Sequence, residues 1–212
     1  ESPSPLLTPE QRAAIGRAGV AAAEAVGYVN AGTVEFIATS EGEFYFLEMN
    51  TRLQVEHPVT EVVTGLDLVQ LQLRVAAGER LSLTQNDVAQ RGHAIACRVY
   101  AEDPANSFLP ATGQILKFKP PEGPGIRVDS GIQAGDAVTI HYDPMIAKII
   151  TYGPTRMDAV ERMRHALGST IVLGVSTNIS FLMSLLEHPD FIQNRVHTSF
   201  IDSHMAELLP GT

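Results

Sequence analysis

The chain has 212 residues, 44% of them hydrophobic, enough for one large or two small globular domains. Its formal net charge of −9 excludes a broad nucleic-acid footprint, which needs a basic face, and no apolar run is long enough to span a membrane. One cysteine, Cys97, excludes an internal disulfide and points to a reducing compartment.

The opening stretch ESPSPLLTPE starts without Met and shows no signal peptide. It reads as linker, and the expectation is a piece of a longer protein. A first helix follows. Thr8 caps it, Pro9 suits the first helical position and Gln11 completes a capping box. Ile15, Ala18, Ala22 and Val26 form a narrow apolar stripe that Gly27 ends, and the small residues predict close packing on a sheet.

Two strands are predicted over 33–38 and 44–49, joined through the SEGE segment, 40–43. With Glu41 and Gly42 as a two-residue turn, residues whose numbers sum to 83 face each other, which sets Glu35 opposite Glu48. A bulge or a longer loop would shift that register. Like charges directly opposite repel on a sheet, and a divalent cation between them would give the arrangement a purpose.

The second strand runs into FYFLEMNTRLQVEHP. Here Glu48, Asn50, Arg52, Gln54 and Glu56 fall at every second position, so an extended chain presents all of them on one face. Glu35, Glu48 and Asn50 offer oxygen ligands with no sulfur or imidazole beside them, a set suited to Mg²⁺ or Mn²⁺ rather than zinc. Arg52 brings a guanidinium fork for a planar oxyanion, with the Gln54 amide next to it. Glu56 is spaced to take a proton from whatever Arg52 holds. The same residues also make a solvated sheet face with Arg52 in a surface ion pair, and residue chemistry alone leaves both readings open.

Pro58 breaks the extended chain, with His57 read as a helix start or a packing residue. A helix is predicted from Asp67 to Ala77, with Asp67 as cap, Gly78 as stop and Leu68, Leu71 and Val75 as its buried stripe. The polar segment 81–91 marks a domain boundary, giving domains over 1–82 and 83–205. Beyond it, HAIACRVYAE, GQILKFK, GIRVDS, DAVTIHY and MIAKIITYG are strand-like runs between Pro and Gly turns, which predicts a compact antiparallel sheet or barrel. A helix from Thr155 to Leu167 carries Val160, Met163 and Leu167 inward, IVLG forms one more strand, and a short helix covers Ile179–Leu186. The fold class is α+β.

In the first of these strands Ile95, Cys97 and Val99 face one side, while Ala96, Arg98 and Tyr100 face the other. Small Ala96 leaves room for a ligand beside Arg98; pairing of Arg98 with Glu102 or Asp103 is the alternative. Asp143, before Pro144, has the chemistry of a sharp turn. The chain has no Walker-type phosphate loop, no GxGxxG after a strand, and no nucleophile elbow.

The segments GTVEFI, FYFLEMNTRLQVEHPVTEVVTGLDLV, RGHAIACRVYAEDP, FLPATGQI and HYDPMIAKII resemble biotin carboxylase, the ATP-grasp subunit or domain of biotin-dependent acyl-CoA and pyruvate carboxylases. The likeness covers nearly the whole chain. EMNTRLQVEHPVTE is its most specific part, and AEDP and YDPMIAK add to it, whereas the EMN-like piece is shared with other ATP-grasp ligases. The resemblance implies the C-terminal lobe of an ATP-grasp fold followed by a β-rich biotin carboxylase C-terminal domain. It implies that Glu35 and Glu48, assisted by Asn50, hold Mg²⁺ (or Mn²⁺) on ATP, and that Ile37 forms an apolar wall beside the adenine. Arg52, Gln54 and the Val55 backbone correspond to the bicarbonate pocket, and Glu56 to the base that deprotonates bicarbonate before it attacks the γ-phosphate. Arg98 corresponds to the arginine that steadies the biotin ureido oxygen, and Asp143 to a residue near that arginine.

The implied cofactors are ATP, the metal ion and biotin on a separate carrier domain, since no Met-Lys attachment pair occurs here. The implied partners are bicarbonate, the biotinyl carrier domain, a carboxyltransferase subunit, a second copy in a homodimer, and an upstream half with a Rossmann-like domain and a glycine-rich lid. That half is not in this sequence, so the chain alone is expected to be inactive. The expected compartment is the cytoplasm, or the mitochondrial matrix in a eukaryote. Two other readings stand beside this one. A carbamoyl-phosphate synthetase large chain shares the metal ligands but not the RGHAIACRVYAEDP and YDPMIAK segments. A non-catalytic module would serve for dimerisation or for holding a biotinyl domain.

Overall fold

In a computed structural model that describes residues 1–39 and 41–209, the chain divides into two units, Glu1–Arg91 and Gly92–Thr212. No helix among the described residues is long and apolar enough to cross a membrane.

The first unit opens with α1 (Pro9–Ala25). The Thr8 hydroxyl accepts from the Gln11 N–H at 3.3 Å, and the Gln11 side-chain oxygen accepts from the Thr8 N–H at 2.8 Å, so the capping box forms as read from sequence. Gly19 brings α1 onto β1 (Thr33–Ala38), where a Cβ would lie 3.7 Å from Val34 and 3.9 Å from Phe36. β1 pairs antiparallel with β2 (Phe44–Asn50), and Glu35 does face Glu48.

The reason for that pairing differs from the one expected. The ladder closes with Ala38 opposite Phe44, so the connection is longer than two residues. Ser40, part of the expected connection, lies outside the described residues. A bulge then leaves Leu47 unmatched and restores the register, so that Phe36 faces Phe46 while Glu35 faces Glu48. Because of that extra residue, Phe44 and Phe46 turn to the α1 side instead of sharing a face with Glu48. There they meet Phe36 edge to face, with ring centroids 5.5 and 6.2 Å apart.

After β2 come α2 (His57–Thr64) and α3 (Leu68–Ala76). The helix start read at His57 is found, but no helix was assigned beyond it, because Pro58 reads as a breaker; Pro58 sits in the first turn of α2, where no helical N–H is required. Pro58, Val59, Glu61 and Val63 are buried. Burial of the Glu61 charge is offset at the start of α3, where its carboxylate accepts from the Leu68 N–H at 2.7 Å. Asp67 caps α3 through the Gln70 N–H at 2.8 Å, and Gly78 follows its end at φ +89. The α3 stripe of Leu68, Leu71 and Val75 is half-buried rather than buried.

The second unit contains β3 (His93–Tyr100), β4 (Lys117–Lys119), β5 (Ile126–Ser130), β6 (Met145–Gly153), α4 (Arg156–Ser169), β7 (Ile171–Leu173), α5 (Ile179–Glu187), α6 (Pro189–Ile192) and α7 (Phe200–Leu208). β6 is the centre of a three-stranded antiparallel sheet, with β3 and β5 on its two sides. β7 pairs with β4, and residues 102–103 with 109–110 and 113–114 with 137–138 make short bridges. The β-rich expectation holds as a sheet with small ladders; no barrel forms among the described residues. DAVTIHY contributes only Ala137–Val138, and its Ile140 and Tyr142 are exposed.

β6 is apolar over most of its length because both faces are covered: Ile146, Ala147, Ile149 and Ile150 are all buried. Ile95, Cys97 and Val99 of β3 join this core from the face predicted for them. α4 begins at a Thr155–Asp158 capping box and delivers Ala159, Val160, Met163, Ala166 and Leu167 to it, fully buried. α7, unforeseen, supplies Phe200 and Leu208 to a second cluster with Phe181.

Replacing Met163 by Ala is expected to cost about 2–5 kcal/mol, read as a lower denaturant midpoint at unchanged slope. The Cys97 thiol is pushed up to about 12 by burial, so it should resist alkylation at pH 8 in the native state and react after denaturation. Prompt native labelling would contradict this placement.

Candidate functional site

The face of β1 and β2 turned away from α1 carries Glu35, Glu48 and Asn50, with Ile37 and Tyr45 towards the closed end of the hairpin. The Asn50 amide nitrogen donates to Glu35 Oε1 at 2.7 Å and to Glu48 Oε1 at 3.2 Å. The Gln54 amide donates to the same Glu35 oxygen at 2.7 Å. Arg52 Nη2 donates to Asn50 Oδ1 at 3.3 Å. Two opposed carboxylates thus share one neutral donor, the Asn50 amide, and a guanidinium attaches to that same group. All the oxygens at the centre come from carboxylate or amide, a set that fits a hard divalent cation.

The alternation that suggested this face ends early. β2 stops at Asn50 and the chain bends before α2. The His57 N–H donates to the Gln54 carbonyl at 3.2 Å, and the His57 ring approaches the same oxygen at 2.7 Å. Gln54 reaches Glu35 from this turn rather than from a strand. Val55 is half-buried in the turn, and Glu56 occupies the exposed N-cap position of α2 without a side-chain cap bond. Period-two spacing therefore does not order Glu56; the turn does. Ile37 is 44% exposed on the acidic face.

Arg98 belongs to the second unit. It is exposed on the polar side of β3, directly opposite Lys148 of β6, which in turn faces Asp129 of β5. Lys148 lies 3.4 Å from Asp129, and Arg127 grips the same carboxylate at 2.8 and 3.0 Å. Burial opposes ionisation of Asp129, but Arg127 and Lys148 outweigh it and hold the carboxyl below its usual range. The row is cationic on balance, with three positive side chains and one acid. Lys148, Arg127, Asp129 and the buried Asn178 at the edge of β3 were missed from sequence, because contacts over long separations bring them to the strand of Arg98.

Asp143 holds a turn: its carboxylate accepts from the Met145 N–H at 2.8 Å, and the Pro144 carbonyl accepts from the Ala101 N–H at 2.9 Å. Glu102 is raised above the ordinary carboxylate range by burial first and by the Asp143 charge second. Asp103, offered as a partner for Arg98, accepts from the Ala105 N–H at 3.1 Å.

His188, His204 and Glu207 also converge, with ligand-type atoms within 4.8 Å of one another. His188 Nδ1 accepts from the Asp190 N–H at 3.2 Å, and its Nε2 faces Glu207 at 3.3 Å. His204 faces Glu207 at 3.3 Å and Asp190 at 3.6 Å. A metal on His188 Nε2 would need a proton on Nδ1, where the Asp190 N–H already points. The group reads as a hydrogen-bonded clasp between α6 and α7.

Two family models match the chain: the biotin carboxylase C-terminal domain over residues 96–203, and the carbamoyl-phosphate synthase L chain, ATP binding domain, over residues 1–84. The mitochondrial methylcrotonoyl-CoA carboxylase subunit alpha of Rattus norvegicus is 49% identical over 99% of this chain and 30% of its own length. Biotin carboxylase 1 of Bacillus subtilis is 51% identical over 96% of this chain and 46% of its own. The chain thus spans less than half of either relative. Among solved structures, the biotin carboxylase domain dimer of the Hydrogenobacter thermophilus 2-oxoglutarate carboxylase, in complex with MgADP, ADP and bicarbonate, superposes with a TM-score of 0.96 at 45% identity. It is matched over all of this chain and 47% of that one. The ATP-binding model alone is compatible with a carbamoyl-phosphate synthetase, but the biotin carboxylase C-terminal model spans half of the chain and is specific; the chain belongs to the biotin carboxylase family.

Proposed function

We propose that the protein to which this chain contributes uses Mg-ATP and bicarbonate to carboxylate biotin on a carrier domain, through carboxyphosphate. The observation that carries the proposal is the single network joining Glu35, Glu48, Asn50, Gln54 and Arg52. Glu35 and Glu48, with Asn50 between them, would hold Mg²⁺ or Mn²⁺. The ion, when bound, neutralises charge on the ATP phosphates. Arg52, Gln54 and the Val55 backbone would receive bicarbonate, with the guanidinium orienting the planar anion. Glu56, at the exposed start of α2, would accept the bicarbonate proton. Ile37 would cover the adenine. Arg98 would offer positive charge to the biotin ureido oxygen, and Asp143 would fix the nearby turn.

The remaining assignments belong to the same proposal. The ATP-grasp part covers 1–82 and the C-terminal domain 83–205. The partners are a biotinyl carrier domain, a carboxyltransferase subunit, the upstream half of the enzyme and a second copy of the enzyme. The compartment is the cytoplasm or the mitochondrial matrix; the relative from Rattus norvegicus is mitochondrial.

In the full-length enzyme, Glu48→Gln should lower ATP cleavage by about 10²-fold, equivalent to roughly 3 kcal/mol, and raise the Mg²⁺ concentration required. Arg52→Ala should raise the KM for bicarbonate while the KM for Mg-ATP changes little. Unaltered metal and bicarbonate dependence in both variants would overturn the assignment. The 212-residue chain by itself should release no ADP in response to bicarbonate and biotin; turnover by it would remove the need for an upstream half. If the full-length protein also cleaved no ATP, the scaffold reading would replace this one.

A further inference from the structure

We infer that Asn178 positions Arg98, an inference that rests on the role proposed above for Arg98 towards biotin. Asn178 stands at the N-cap of α5, a place where an asparagine side chain ordinarily accepts a hydrogen bond from the first helical turn. It makes no such bond here. Its side chain turns to the outer edge of β3 instead. The amide nitrogen donates to the Arg98 carbonyl at 3.1 Å, and the amide oxygen accepts from the Tyr100 N–H at 2.9 Å. The Asn178 main-chain N–H adds a third bond, to the Tyr100 carbonyl at 3.2 Å.

The side-chain amide thus acts as one peptide unit of a missing neighbouring strand. β3 is an edge strand with β6 on one side only, so its outer backbone groups have no ladder partner. Asn178 supplies one at Arg98 and Tyr100, and it is 6% exposed, so water cannot readily take its place. With β6 on the inner side and Asn178 on the outer, the backbone bearing Arg98 is held from both edges. That matters because Arg98 and Lys148 are like charges in directly opposed positions, and their repulsion favours a shift of the edge strand. Lys148 is drawn towards Asp129 on the next strand, and Asn178 keeps β3 from moving. A guanidinium aimed at a small developing charge loses effect with displacements of about 1 Å.

The chemistry tolerates few replacements. Aspartate keeps the shape but turns an oxygen on the Arg98 carbonyl, and alanine leaves both half-buried backbone groups without this partner. The test uses the full-length enzyme carrying Asn178→Asp, with Asn178→Ser as the milder change should the first not fold. ADP release is measured with and without biotin. We expect biotin-dependent turnover to fall about 10-fold or more. Bicarbonate-dependent ATP cleavage without biotin, and the KM for Mg-ATP, should stay within about twofold, as a general loss of folded protein would not allow. In an Arg98→Ala background the same change should cause no further loss. Equal loss of both rates, or a full additional loss without Arg98, would overturn the positioning role alone. If Arg98→Ala itself left biotin-dependent turnover intact, the role of Arg98 would fall and this inference with it.

Discussion

Two carboxylates, Glu35 and Glu48, face each other across the β1–β2 ladder, where like charges oppose pairing. Asn50 and Gln54 answer it with amide protons, and Arg52 attaches to the amide between them. The bulge at Leu47 divides the side chains: Phe44 and Phe46 meet Phe36 on the α1 side while Glu48 stays on the outer face. A hairpin without it would place Phe44 and Phe46 on the same side as Glu48. One extra residue in one strand therefore sets these two rings on the face opposite the acid.

The second unit solves a related problem with the opposite sign. Arg98 and Lys148 are paired like charges, and Asp129 relieves one of them while itself held by Arg127. The apolar side of the same sheet is closed by α4, whose Val160, Met163 and Leu167 lock β3 and β6. A rigid core on one face lets the other hold groups that repel. The Thr151 hydroxyl, fully buried, donates to the Ala159 carbonyl at 2.8 Å and ties β6 to α4 directly.

Much of this was legible along the chain. The capping box at Thr8, the cap at Asp67, the inward stripe of α4, the β6 apolar run and the inward face of β3 depend on residues a few positions apart, so local chemistry reveals them. Only the start of α2 at His57 was legible, because Pro58 reads as a breaker and the buried Glu61 gains the first N–H of α3 as a partner only once the chain has folded. α7 went unread because its apolar residues, Phe200 and Leu208, are far apart along the helix and gain meaning only against Phe181. The Glu35–Glu48 opposition was anticipated through a tight turn that does not form; a longer connection and a bulge compensate each other.

By itself the sequence determined the donor chemistry: which residues offer oxygen, guanidinium or apolar surface, and, through its specific segments, the family to which they belong. It did so because side-chain identity and short-range spacing are properties of the chain alone. Only the tertiary structure decided which of the alternating polar residues meet. Gln54 reaches Glu35 from a turn, Glu56 leaves the strand for a helix start, and Asn178 crosses to the edge of β3. Those outcomes depend on a bulge, a bend and an open strand edge, whose energies come from partners many residues away.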